Sequence, residues 1–144
     1  LMKISTVEFA GDRRVVSFLL LEEVSIYILV INFNLDGIDH DQFSEACDGL
    51  ADTFAAIPGL IDKVWLSDPS SNTYGGVYTF EDKAAVEAYK AGEVYAAVAG
   101  NPNFINVTAK DFGILEGPTR VSGAADRNFY SVKIHSRSLL KKIE

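Results

Sequence analysis

The sequence predicts an α+β fold in which a four-stranded antiparallel sheet carries its helices on one face. Three observations lead to this prediction. Apolar side chains recur along four strand-like segments, two longer segments have helical spacing, and the segments follow the order β-α-β-β-α-β. In addition, several strands are apolar on both faces, so the sheet face without helices is expected to pack against a second copy of the chain.

The first strand of this unit is predicted over residues 26–35, where both faces are apolar. Asp39 then fits the N-cap of a helix, and Gln42, three residues later, completes a capping box. The Pro58-Gly59 pair ends the helix. Spacing by three or four residues predicts that the following side chains point inward: Phe43, Ala46, Cys47, Leu50, Phe54 and Ile57.

A hairpin is predicted next. Its strands cover residues 61–67 and 74–80, and a turn over residues 68–72 joins them in antiparallel pairing. Gly75 and Gly76 lie inside the second strand. Paired glycines within a strand indicate a bulge, or another group packed closely against the backbone.

The last part of the unit contains two helices and a strand. Glu81 or Asp82 is expected to cap the first helix, which runs to about residue 91 and points four residues inward: Ala85, Val86, Ala88 and Tyr89. A short helix over residues 93–99 follows, and Asn101-Pro102-Asn103 breaks it. The final strand is predicted over residues 106–115. The complete order is that of the ferredoxin-like split β-α-β unit.

The two ends of the chain differ from this unit, so three segments are predicted. Residues 1–24 form an N-terminal extension, which is either a β-hairpin with strands at 4–9 and 15–21 around Gly11-Asp12, or the product of a wrongly placed start. Residues 25–120 form the ferredoxin-like domain. Residues 121–144 form a more basic C-terminal tail, for which a solvated terminus is expected.

Composition excludes several classes of function. Of the 144 residues, 48% are hydrophobic and 23% charged, which is typical of a globular domain. Acidic residues outnumber basic ones by 20 to 13, and the net charge of −7 disfavours nucleic acid and anionic membranes as partners. Cys47 is the single cysteine, so no internal disulfide and no Cys/His zinc cluster is expected. The single cysteine and the lack of a convincing signal or membrane-spanning segment lead us to expect a cytoplasmic protein. Nucleotide-binding, phosphate-binding and hydrolytic motifs are lacking, and we expect neither a cofactor nor a metal.

Aromatic side chains supply the first candidate site residues. Trp65 could stack on a flat substrate and donate its indole N–H, and Tyr74, Tyr78 and Phe80 share one face of a strand. Tyr78 could be a proton donor or an anchor, and Tyr74 a possible base. Phe54, on the inward face of the first long helix, is a candidate for substrate contact. For all of these residues, simple core or interface packing remains an alternative.

Polar residues supply the remaining candidates. Asn32 and Asn34 lie near the end of an apolar strand, where an amide could hold a substrate carbonyl or a peroxy intermediate, or could simply bond to the adjacent turn. His40 follows the predicted N-cap and could act as a general base near neutral pH. An exposed surface histidine is the alternative. Burial among apolar residues favours Cys47 as a small core side chain and not as a nucleophile.

Four segments also carry a resemblance to a known family. They are Asn32-Phe33-Asn34, the run from Pro58-Gly59-Leu60 to Lys63-Val64-Trp65, the run Gly75-Gly76-Val77-Tyr78-Thr79-Phe80, and the run from Asn101-Pro102-Asn103-Phe104 to Lys110-Asp111-Phe112. With these segments, the chain from about residue 26 to residue 117 resembles the dimeric α/β-barrel superfamily, and more narrowly the YdhR-like putative mono-oxygenase family.

The resemblance implies a homodimer in which two sheets close a barrel and each subunit keeps a pocket between sheet and helices. It further implies cofactor-independent mono-oxygenation of an aromatic or polyketide-like small molecule. Trp65, Tyr78 and Asn32 would orient such a substrate, with His40 or Tyr74 as the base. Because one fold supports many functions, three alternatives stay open: a binding module for a hydrophobic metabolite, a dimerisation module, and an isomerase or cyclase.

Overall fold

The computed structural model describes residues 25–123 in full, together with the backbone of two strands nearer the N-terminus. These two are β1 (Met2–Glu8) and β2 (Val15–Leu21), which pair antiparallel in a sheet of their own. The two strands predicted at 4–9 and 15–21 are therefore present and paired, and the first of them spans residues 2–8. The predicted turn at Gly11-Asp12 and the tail from residue 124 lie outside the described residues, and the proposed segment boundaries near residues 24 and 121 stay predictions.

A second, four-stranded sheet forms the body of the domain. Its strands are β3 (Tyr27–Leu35), β4 (Leu60–Asp68), β5 (Thr73–Phe80) and β6 (Phe104–Gly113). They lie in the order β4-β5-β3-β6, and every neighbouring pair is antiparallel. This strand order, together with the chain order β-α-β-β-α-β, is the ferredoxin-like fold that the sequence predicted.

Helices cover one face of this sheet. They are α1 (His40–Ala55), α2 (Lys83–Lys90) and α3 (Glu93–Ala99), and a short α4 (Glu116–Val121) follows the last strand. The predicted capping box is present, because the Asp39 carboxylate accepts from the Gln42 N–H and the Gln42 side chain accepts from the Asp39 N–H. Asp82, one of the two predicted caps, begins α2. The sequence did not predict α4.

The main core lies between the sheet and these helices. Its buried members include Leu29, Ile31 and Phe80, with no exposed surface, and Val86 of α2 packs against them. Gly75 allows the central strands to approach each other closely. Its φ is +151°, and a Cβ at this position would lie 1.8 Å from the backbone oxygen of Ile31. The close approach predicted from the paired glycines is confirmed.

Two predictions about the helices and one about the last strand need correction. Leu50 is 47% exposed, and Ala46 and Ala88 are also exposed. On α1 the reason is that the helix does not pack against the sheet along its whole length. The last strand begins at Phe104, two residues earlier than predicted. Asn106, which the sequence indicated as the first residue of the strand, lies inside it. Its left-handed φ of 54° is accommodated beside a shift in the register between β3 and this strand.

The opposite face of the sheet carries exposed apolar side chains. Val64 is 53% exposed, Phe112 45% and Ile105 40%. The ammonium group of Lys110 lies 5.3 Å from the centre of the Phe112 ring. The prediction that both sheet faces are apolar is therefore confirmed in the structure, whereas the dimer inferred from it stays a prediction.

Candidate functional site

A cavity of about 500 Å³, which we call the main cavity, lies between α1, α3 and the sheet. A volume of this size is typical of small-molecule sites. The half-exposed Leu50 is part of its border, which explains why this face of α1 is not buried. The lining is mostly apolar, and six of its residues are aromatic: Phe33, Phe43, Phe54, Trp65, Tyr78 and Phe104.

Lys63 places a cationic group inside this aromatic lining. Its Nζ lies 3.3 Å from the ring centre of Phe54, 3.2 Å from that of Trp65 and 4.6 Å from that of Tyr78. Ring faces attract cations through their quadrupole, so the three rings form a cage around the amine. Nζ makes no hydrogen bond or ion pair to any residue between 25 and 123. Among the described residues that line the main cavity, Lys63 is the only cation.

Burial changes the protonation of Lys63. It lowers the pKa of the amine from 10.5 to about 7, because the charged form is desolvated, while the nearby Cys47 thiol acts weakly in the opposite direction. The pKa of the Cys47 thiol is raised, also chiefly by burial. At neutral pH, the cavity therefore contains an amine that can both gain and lose a proton.

Gly76 gives Lys63 the space to reach the cage. Trp65 and Gly76 are register partners, and so are Lys63 and Tyr78. A Cβ on Gly76 would lie 3.0 Å from the Lys63 Cε and 3.0 Å from the Tyr78 ring. Because glycine has no side chain, the lysine stem can lie across the sheet at this point.

Tyr78 is suited to donate a proton and not to accept one. It is 2% exposed, and burial raises the pKa of its hydroxyl well above the usual value, so it stays neutral across the physiological range. The Tyr89 hydroxyl lies 3.5 Å away and donates to it. Phe80 stacks behind Tyr78 at 6.3 Å between ring centres and does not line the main cavity.

The two predicted bases lie together, but outside the main cavity. The His40 Nδ1 lies 3.2 Å from the Tyr74 hydroxyl oxygen. His40 lines a second, smaller cavity of about 230 Å³, on the other side of α1. Tyr74 is almost completely buried and packs against Phe43. Phe43, Cys47 and Trp65 border both cavities, so these three side chains separate the two.

The predicted asparagines also lie away from the main cavity. The alternation along β3 places Asn32 and Asn34 on the sheet face opposite the helices. Asn34 donates to the backbone oxygen of Asn72 at 2.7 Å and accepts from the side chain of Asn106 at 2.9 Å. Asn32 donates to the backbone oxygen of Tyr74 at 3.5 Å. Both amides thus bond to residues in or just before β5 and in β6, and not to the turn before Asp39 that the sequence offered as the alternative.

Of the eight predicted site residues, the main cavity brings together Phe54, Trp65 and Tyr78. Lys63 is the residue that the prediction missed. One signal was present: Lys63 and Trp65 are two apart in a strand, so they share a face, and a lysine on the helix-covered face of a strand is unusual.

Two further features bear on the chemistry. Across the described part of the chain, no three His, Cys, Asp or Glu side chains converge as they would around a metal ion. Within the same residues, no helix has both the length and the apolar character needed to cross a bilayer.

The class of protein defined by this geometry is a ferredoxin-like domain with a mostly apolar cavity between its sheet and its helices. Comparison with protein families identifies it more closely. The family model described as "Putative mono-oxygenase ydhR" matches residues 28–125. The chain belongs to this family. A search of curated proteins found no match.

Solved structures with the same fold include proteins of several kinds. A protein of unknown function from Nitrosomonas europaea, NE2512, has a TM-score of 0.55 at 16% identity over 65% of this chain and 93% of its own. SnoaB, a cofactor-independent oxygenase from Streptomyces nogalater, has a TM-score of 0.52 at 19% identity over 63% and 94%. MhuD, a haem degrader from Mycobacterium tuberculosis, has a TM-score of 0.51 at 18% identity over 62% and 95%. At these identities the likeness establishes the fold alone.

Proposed function

We propose that the protein is a cofactor-independent mono-oxygenase that acts on an aromatic or polyketide-like molecule in the main cavity. The observation that carries this proposal is the cavity itself, which holds one amine within a cage of three aromatic rings, and burial lowers the pKa of this amine to about 7. Membership of a mono-oxygenase family supports the reaction class. The described activity of SnoaB shows that one protein with this fold oxygenates without a cofactor.

Such a reaction makes three demands on the protein. A base removes a proton from an electron-rich substrate, the resulting anion gives an electron to dioxygen, and the peroxide that forms loses water. In an anthrone-type substrate, one oxygen atom ends in the new carbonyl group and the other in the water. Trp65 and Phe54 offer ring faces for a flat substrate, and Tyr78 offers a neutral hydroxyl for a developing oxyanion.

The same proposal includes a homodimer. The exposed apolar side chains of Val64, Ile105 and Phe112 lie on the sheet face without helices, and a partner sheet would remove them from water. In this arrangement, Asn32 and Asn34 face the partner and His40 and Tyr74 remain a pair beside the smaller cavity. A catalytic role for His40 or Tyr74 then requires a substrate that also reaches this smaller cavity.

Oxygen consumption with anthrone-type and phenolic substrates tests the proposal. We expect uptake that metal chelators do not affect and that Ala46→Trp lowers about tenfold or more in kcat/KM. Ala46 is an exposed residue on the border of the main cavity, so an indole there fills the cavity without entering the core. Ala84→Trp is the matched control, because Ala84 is exposed on α2 and lines neither cavity. Ligand binding without any oxygen uptake would contradict the proposal and favour a binding module.

A further inference from the structure

Among the described residues, no acidic group lies at hydrogen-bonding distance from the Lys63 amine in its aromatic cage. Among residues 25–123, the titratable groups that face the amine or share its cavity come from three elements. They are Cys47 on α1, Tyr78 on β5 and Glu93 at the start of α3. Tyr78 is neutral, and of these groups only Cys47 has an electrostatic effect on the lysine. The cavity is thus built around an amine whose counter-charge is not supplied by the described part of the chain.

An amine in this position suits one kind of ligand. The ring faces stabilise the ammonium form, whereas desolvation favours the neutral amine, so the two forms are close in free energy. An anionic oxygen entering the cavity would favour the ammonium form by direct ion pairing at low local dielectric. The apolar walls around it require the rest of the ligand to be flat and apolar.

We propose that Lys63 accepts the proton of an acidic hydroxyl group on a flat aromatic ligand, and that it holds the resulting anion as an ammonium–phenolate pair in the main cavity. The proton moves from the ligand oxygen to the lone pair of Nζ, and no electron is transferred in this step. The substrate class is therefore aromatic weak acids, namely phenols and enols that ionise near neutral pH. This inference rests on the proposed function only in taking the main cavity as the substrate site.

A fluorescent phenol makes the proton transfer visible without turnover. The neutral and anionic forms of 7-hydroxycoumarin have different excitation spectra, and 7-methoxycoumarin is a matched ligand without an acidic proton. Under argon, we expect the bound hydroxycoumarin to ionise about tenfold more readily than the free dye, which corresponds to a pKa lower by about one. Lys63→Met should abolish this shift and leave the binding of 7-methoxycoumarin within about twofold.

The control variant is Lys90→Met. Lys90 is a surface lysine of α2 that bonds to Asp111 at 2.9 Å and does not line the main cavity, so its loss should leave the spectral shift intact. The inference is overturned if Lys63→Met binds the anion as well as the unmodified protein does, if only the neutral dye binds, or if neither coumarin binds.

The test separates this inference from the proposed function. If the anion forms but no anthrone-type substrate consumes oxygen in air, the mono-oxygenase proposal fails and the role of Lys63 as proton acceptor stands. If Lys63→Met still consumes oxygen at the original rate, the mono-oxygenase proposal stands and the role of Lys63 as proton acceptor fails. Lys63→Arg sharpens the distinction, because arginine keeps a cation but cannot take up a proton at neutral pH. We expect that variant to retain the anion and to lose at least about tenfold in oxygen uptake.

Discussion

The buried amine should give the protein a distinctive dependence of stability on pH. In the unfolded chain Lys63 titrates near 10.5, whereas in the folded protein burial lowers its pKa to about 7. Above pH 10.5 both states are neutral at this site and burial of the amine carries no electrostatic cost. Between pH 10.5 and 7 the unfolded state binds the extra proton, so unfolding becomes more favourable as the pH falls. Below pH 7 both states are charged and the cost is constant.

The magnitude follows from the same two pKa values. A fall in pKa from 10.5 to about 7 lowers the free energy of unfolding at neutral pH by at most about 5 kcal/mol. Solvent reaches the amine from the cavity and screens its charge, so we expect about 2 kcal/mol. Lys63→Met removes the titrating group and keeps the length of the side chain. The stability of this variant relative to the unmodified protein should therefore rise by about 2 kcal/mol between pH 10 and pH 7, and then stay level.

Urea unfolding at steps of pH measures this difference, and the fluorescence of Trp65, the single tryptophan, reports the transition. Lys90→Met is again the control. The hydrogen bond with Asp111 raises the pKa of Lys90 above its usual value, so both its folded and unfolded forms stay charged from pH 7 to 10 and its contribution should not vary there. A difference between Lys63→Met and the unmodified protein that is the same at pH 7 and pH 10 would refute the assignment of a depressed pKa to the amine.

Two further predictions concern the sheet. Gly75→Ala should destabilise the domain by about 2–4 kcal/mol in urea unfolding, because the new methyl group would overlap the backbone oxygen of Ile31. The control is Gly49→Ala in α1, where the added methyl group meets open space and should stabilise the helix by about 0.5–1 kcal/mol. Equal effects of the two changes would contradict the close approach. In sedimentation at micromolar concentration, the unmodified chain should behave as a dimer and Val64→Lys as a monomer. Val121→Lys, at an exposed position on α4, is the control and should remain a dimer. A monomeric unmodified chain would contradict the proposed interface.

Local signals made most of the fold predictable from the sequence. Asp39 and Gln42 are three residues apart and cap α1 by themselves, so their roles do not depend on the rest of the chain. The same is true of the alternation in β3 and of the paired glycines in β5. The start of β6 was predicted wrongly because Asn106, a residue typical of turns, adopts its left-handed backbone inside a paired strand. Pairing with β3 overrides the local preference of this residue.

The candidate site was less predictable, because it depends on contacts between distant elements. Phe54, Lys63 and Tyr78 come from a helix and two strands, and only the packing of α1 over the β4–β5 hairpin brings the rings around the amine. Leu50 shows the same limitation. Its helical spacing is that of a core residue, but in the folded domain it is half-exposed and borders a cavity between α1, α3 and the sheet. A pattern along one element describes its own faces but not the distance to its neighbours.

Because Phe43, Cys47 and Trp65 border both cavities, the size of these three side chains limits the size of the main cavity. Trimming a single one of these side chains would join two compartments of about 500 and 230 Å³ into one and bring His40 within reach of a larger guest. A single substitution here would thus enlarge the space that a ligand can fill, and the strands and caps that determine the fold need not change with it.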